Sequence, residues 1–114
     1  MNAPVGATAV DPPLLNSLRD KAGAASAMLK ALGHPNRLLL LCLLVEQERS
    51  VSELEALLGL RQANVSQQLA KLRSEGLVGA RRNGKSVHYF VSDPAARRVL
   101  MVLYDIYCGP DGSG

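Results

Sequence analysis

The chain has no tryptophan, one phenylalanine and three tyrosines among 114 residues. A large β-sandwich draws on more aromatic and β-branched residues than that, so an all-β fold is not expected. Long apolar runs are also missing. The longest, Leu38 to Val45, has eight residues, and a membrane helix needs about 20. Met1 to Val10 contains no basic stretch followed by an apolar segment, so the expected compartment is the cytoplasm. There are only two cysteines and two histidines. In a reducing compartment two cysteines start as thiols and not as a structural staple. His34 and His88 lie well apart in sequence, so these spacings do not assemble four ligands of zinc type, and neither metal nor cofactor is expected.

What is present favours helix, because leucine and alanine dominate. At roughly 100–200 residues per domain, the length gives one domain. A hydrophobic fraction of 47% with 20% charged residues excludes a wholly disordered chain. The net charge of +3 is unevenly spread. From Arg61 to Lys85 there are six bases (Arg61, Lys71, Arg73, Arg81, Arg82, Lys85) against Glu75 alone, while the remainder is slightly acidic. A basic patch on such a body points to a polyanion, although a merely solvated basic face has the same composition.

Residues 1–12 read as a disordered tail, 13–108 as the folded domain and 109–114 as a flexible tail. Asp11-Pro12-Pro13 is a helix start, after which Leu15, Leu18, Ala22, Ala25, Met28, Leu29 and Leu32 recur at helical spacing. Gly33-His34 stops that helix and Pro35 opens a second. The second helix is apolar nearly all round over Leu38–Val45, which predicts a buried central element. Ser52 with Glu55 predicts a capping box for a third helix carrying Leu54, Leu57 and Leu58, ended by Gly59. After a short turn, a fourth helix from about Gln62 to Ser74 puts Val65, Leu69 and Leu72 on one face. Ala63, Ser66, Gln67, Ala70 and Lys71 fall away from that face. Two β-prone runs then flank Asn83-Gly84, predicting a hairpin with a type I′ turn. Ser92-Asp93-Pro94 caps a last helix bearing Val99, Leu100, Val102, Leu103, Ile106 and Tyr107. That wide stripe suits core packing or a dimer interface.

Two helices around a tight turn, the second polar on one face, form a helix-turn-helix, and a basic-tipped hairpin directly after it makes a winged helix. The expected fold is mainly α with a β-hairpin wing, in the order ααααββα. The fourth helix would enter the major groove of double-stranded operator DNA, with Gln62, Asn64, Ser66 and Gln67 bonding bases or phosphates and Ala63 permitting close approach. For Gln62 and Asn64, helix-start hydrogen bonding is the competing role. Lys71 and the wing tip Arg81-Arg82-Asn83-Gly84-Lys85 would contact phosphates or the minor groove. No nucleophile–base–acid set and no phosphate loop is visible, so an enzyme is not expected. A non-sensing architectural DNA binder is the competing reading, ahead of an enzyme.

Ala31-Leu32-Gly33-His34-Pro35-Asn36-Arg37 resembles the opening of the ArsR/SmtB family of bacterial repressors. Ser52-Glu53-Leu54, Gln62–Leu69 and Leu72–Val78 are similar to its helix-turn-helix, and Arg81–Lys85 with Tyr89 to its wing. The resemblance covers about residues 24–108. It implies a homodimer through the first and last helices that represses transcription until a ligand is sensed. The family's arsenic site uses a cysteine pair in the third helix, where Val51–Leu57 has none. Its other metal sites use histidines and carboxylates of the last helix, where Pro94–Tyr107 offers only Asp105. Cys42 alone reads as core, within its leucine run. Together, Cys42 in the second helix and Cys108 closing the last resemble the sulfide-responsive BigR/SqrR subgroup, in which a reactive sulfur species links the pair. The resemblance therefore implies a persulfide-sensing dithiol switch. Peroxide acting through a simple disulfide, or a soft metal on two thiolates, stays open. His88 reads as structural or phosphate-contacting.

Overall fold

The computed structural model describes residues 10–109. Positions 1–9 and 110–114, most of the two expected tails, lie outside that range. The elements run α1 (Pro12–Leu32), α2 (Pro35–Glu46), α3 (Val51–Leu58), α4 (Gln62–Ser74), β1 (Val78–Asn83), β2 (Ser86–Val91) and α5 (Pro94–Cys108). This is the expected order of a winged helix.

Residues up to Ala31 form one compact unit and those from Leu32 onward a second. The first is essentially α1. It begins at Pro12, one residue inside the segment read as tail, because proline at the helix start has no N–H to leave unpaired. The Asp11 carbonyl accepts the bond from the Leu15 amide at 3.0 Å. Along this helix Leu14, Leu15, Leu18 and Leu29 are exposed.

In the second unit, Leu40, Leu41 and Leu44 of α2 are buried with Leu54, Val65, Leu69, Leu72 and Leu100. Helix α2, expected as the buried central element, is buried on one side only, since Leu39 is 51% exposed. The helix packs against α5, β2 and α3, and these neighbours leave one stripe uncovered.

The capping box of α3 is also displaced from its expected place. Ser50, not Ser52, is the N-cap. Its hydroxyl accepts from the Glu53 amide at 3.2 Å, and the Glu53 carboxylate accepts from the Ser50 amide at 2.8 Å. Both serines have a glutamate three residues on, so local sequence cannot choose between them. The choice falls to the preceding residue. Arg49 forms an antiparallel bridge with Tyr89, its amide donating to the Tyr89 carbonyl at 3.2 Å and its carbonyl accepting at 2.8 Å. The chain is thus extended up to Arg49 and free to turn at Ser50. Glu53 has its carboxyl held below the ordinary value by these Ser50 bonds.

In the hairpin, Val78 pairs with Val91 and Asn83 with Ser86. The loop is therefore Gly84-Lys85, one residue later than expected. Only Gly84 has positive φ (67°), which is the type II′ arrangement and not type I′. Lys85 stays on the negative side, where a side chain is unstrained. Gly79 faces Phe90 across the strands, and a Cβ there would lie 2.7 Å from the ring. Asp93 caps α5, its carboxylate accepting from the Ala95 and Ala96 amides at 2.8 and 3.2 Å.

Candidate DNA interface and thiol site

Helices α3 and α4 are joined by Gly59, Leu60 and Arg61 only. Val65, Leu69 and Leu72 anchor α4 in the core, which turns its other face outward. Gln62, Ala63, Asn64, Gln67 and Lys71 are exposed there, and Ser66 is half-buried. The N-cap is Arg61 and no side chain caps the helix. Helix-start bonding is therefore not what occupies Gln62 or Asn64. Asn64 instead accepts a hydrogen bond from the Gln68 side-chain amide one turn on. A polar, base-sized surface without acids is presented on one side of one helix.

The wing carries Arg81, Arg82, Asn83, Gly84 and Lys85, all exposed. They are not equivalent. Arg81 Nε donates to the Glu48 carboxylate at 2.8 Å, which offsets part of its charge. Among the described residues Arg82 and Lys85 make no ion pair. Glu48 belongs to the connector between α2 and α3, and that connector grips the wing twice. Next to Glu48, the isolated Arg49–Tyr89 bridge pairs one residue of the connector with β2. The Arg49 side chain is buried, pairs with Glu46 and donates from Nε to the Leu43 carbonyl at 3.1 Å. One residue thus joins the end of α2 to β2. Sequence reasoning missed this strap, because Glu46-Gln47-Glu48-Arg49 reads only as a polar helix end. His88 is half-buried on β2 opposite Arg81, and His34 is exposed before α2. Among the described residues no group of three or more His, Cys, Asp or Glu could hold a metal ion. No single helix there is long and apolar enough to cross a membrane.

The two cysteines come together on the far side of α2. Helix α5 packs along α2, and Cys42 and Cys108 line the same groove of about 550 Å³ between them. Both are free thiols; Cys42 is half-buried and Cys108 is exposed. Burial raises the Cys42 thiol above its ordinary pKa, and the nearby Cys108 thiolate raises it further. Cys42 is thus partly shielded while Cys108 meets solvent. Such a pair offers one accessible sulfur and one shielded partner, the two roles that thiol–disulfide exchange requires. Helix α5 is tied in turn to the wing, with Arg97 donating to the Val91 carbonyl at 3.3 Å.

A family model for bacterial regulatory proteins of the arsR family matches residues 34–79. The chain is 42% identical over 97 residues to the biofilm growth-associated repressor of Agrobacterium fabrum, covering 85% of this chain and 83% of that one. Among solved structures it is similar to the transcriptional repressor BigR from Xylella fastidiosa, with a TM-score of 0.77 and 39% identity over 87% of this chain and 98% of that one. It is also similar to reduced HlyU from Vibrio cholerae, with a TM-score of 0.76 and 36% identity over 81% and 97%.

Proposed function

The chain belongs to the ArsR family of bacterial regulatory proteins, and from that premise we propose that it is a homodimeric transcriptional repressor with a dithiol switch. It binds operator DNA through α4 and the wing. It releases that DNA when a reactive sulfur species cross-links Cys42 to Cys108. The observation that carries the switch is the shared groove of the two free thiols.

The division of labour on DNA follows from side-chain chemistry. Gln62, Asn64, Ser66 and Gln67 reach base edges, Ala63 allows close approach, and Lys71, Arg82 and Lys85 meet phosphates. Arg81 joins them only as far as Glu48 releases it.

The sensing step is an exchange. The Cys108 thiolate attacks the outer sulfur of a persulfide R–S–S–H, a Cys108–S–S–H forms, and R–S⁻ leaves and takes up a proton. Cys42 then attacks the Cys108 sulfur and expels HS⁻. Two thiols lose two electrons and two protons, and the sulfane sulfur leaves as hydrogen sulfide. The cross-link ties α2 to α5. A coupling of about 1–3 kcal/mol between thiol state and DNA affinity, or 5–150-fold, is enough for a switch.

The test titrates reduced protein onto DNA from its own upstream region, then repeats this after glutathione persulfide, with hydrogen peroxide in parallel. The proposal expects tight binding when reduced and weaker binding after persulfide. Cys42→Ser and Cys108→Ser are each expected to bind DNA and ignore the inducer. Normal induction of either variant sinks the dithiol mechanism, and an equal response to peroxide makes the switch a general redox sensor.

A further inference from the structure

A side-chain amide can read a base as donor or as acceptor, because it carries both an NH2 group and a carbonyl oxygen. On the outward face of α4, Asn64 does not keep both options. Its oxygen accepts a hydrogen bond from Gln68 Nε2, four residues on, the spacing at which helix side chains meet. Gln68 is fixed in turn by burial. It is half-buried, and its own Oε1 lies out of water with no hydrogen-bond partner among the described residues. Turned the other way, Gln68 would bury its NH2 and strand donors instead of an acceptor. Buried unpaired N–H groups are the rarer case in folded proteins. The burial of Gln68 therefore decides which end of Asn64 faces outward.

We infer that Gln68 is a positioning residue that holds Asn64 as a hydrogen-bond donor, so that Asn64 selects guanine in the major groove. The inference rests on the reading of α4 as the DNA-reading helix and names the base that one of its residues takes. Asparagine reads adenine with both ends of its amide, the oxygen accepting from N6 and the nitrogen donating to N7. An oxygen drawn along the helix to Gln68 cannot lie flat against that edge, and the nitrogen alone faces the groove. Guanine presents two neighbouring acceptors there, O6 and N7, and the amide NH2 has two hydrogens to give them. Thymine presents a single acceptor. Cytosine presents an amine, which would meet the Asn64 NH2 hydrogen against hydrogen.

The experiment selects binding sites for the reduced full chain from a randomised duplex library and sequences the bound pool. The parent chain is expected to require guanine at one position in each half-site. Adenine there, or 7-deazaguanine, which lacks the N7 acceptor, is expected to weaken binding about tenfold. Asn64→Ala is expected to lose the preference at that position alone. Gln68→Leu keeps much of the bulk but cannot donate. It is expected to move that position from guanine to adenine and to leave the others unchanged. Gln68→Glu, as a carboxylate, can only accept. It is expected to turn Asn64 round and favour bases that present an amine, adenine or cytosine. A residue that merely supported the fold would lower binding to all sites together and change no base identity.

An Asn64-dependent preference for any base other than guanine in the parent overturns the donor assignment. Loss of no preference in Asn64→Ala puts Asn64 on a phosphate and also overturns it. Guanine retained in both Gln68 variants overturns the positioning role. A parent chain that enriches no sequence at all overturns the reading of α4 itself.

Discussion

Leu40, Leu41 and Leu54 have no exposed surface, so each fills space that nothing else can fill. Leu41→Ala is expected to cost about 2–5 kcal/mol, the lost transfer energy plus a cavity, measured by chemical denaturation. Leu39, one residue away and half exposed, is expected to tolerate alanine with a small fraction of that loss. At Cys42 the physics is electrostatic. Burial and the Cys108 thiolate both disfavour its charged form. Its alkylation by iodoacetamide is therefore expected to rise only at a pH above that of an ordinary thiol. In Cys108→Ser the midpoint is expected to move part of the way down, because the burial remains. The same sign applies to stability. A thiol whose pKa is raised by folding contributes stability below its unfolded pKa and loses it as pH climbs through the folded value. Glu53 behaves oppositely. Its depressed carboxyl supports the α3 cap above its unfolded pKa and loses that support as acid titrates through the folded value.

At the scale of elements, the start of α3 and the wing make sharp claims. Ser50→Ala is expected to cost about 1 kcal/mol, as loss of an N-cap does. Ser52→Ala, inside the helix, is expected to be nearly neutral, and thermal melts of the pair decide between the two capping boxes. On the wing, Arg82→Ala is expected to lower the slope of log affinity against log salt by about 1. Arg81→Ala is expected to change it less, because Glu48 already offsets its charge. Glu48→Gln is expected to restore a full contribution from Arg81 and strengthen binding. If Arg81 and Arg82 give equal slopes in the parent chain, the ion pair does not persist on DNA. The strap through Arg49 gives this arrangement a further meaning. It attaches the end of the cysteine-bearing helix to β2, so a shift of α2 has a mechanical route to the hairpin.

For the whole molecule, the exposed apolar surface is the dominant fact. Met101, Val102, Ile106 and Tyr107 of α5 are each more than half exposed, and α1 shows its own stripe of leucines. A small helical chain that leaves such faces open gains by pairing them with a second copy. Ile106→Glu is expected to convert the dimer to monomer in sedimentation analysis and to weaken operator binding, since two half-sites are no longer engaged together. Retention of the dimer by this variant places the interface elsewhere.

Much of this organisation was legible locally. Leucine at helical spacing, proline and aspartate at helix starts and Asn-Gly between β-prone runs are short-range signals, and they located every element to within a residue or two. The polar face of α4 could likewise be read from spacing, because 3.6 residues per turn relates its side chains without reference to the rest of the chain. Where two local signals were equivalent, a distant contact decided. Ser50 was chosen over Ser52 by the Arg49–Tyr89 bridge, and the hairpin loop settled on Gly84-Lys85 through the cross-strand register. The partner of Arg81 and the Arg97 bond to the Val45 carbonyl follow no periodicity. The first arises because the α2–α3 connector runs beside the wing, the second because α5 packs beside α2 and β2. The meeting of Cys42 with Cys108 is likewise a matter of packing. Local sequence made one a core residue and the other a helix end, and only the family resemblance implied that they pair; packing of α5 along α2 put both on one apolar wall. Helix and turn preferences act over a few residues, while burial of apolar faces acts between segments far apart in the chain. That second force, which only the folded chain expresses, brought the two thiols together.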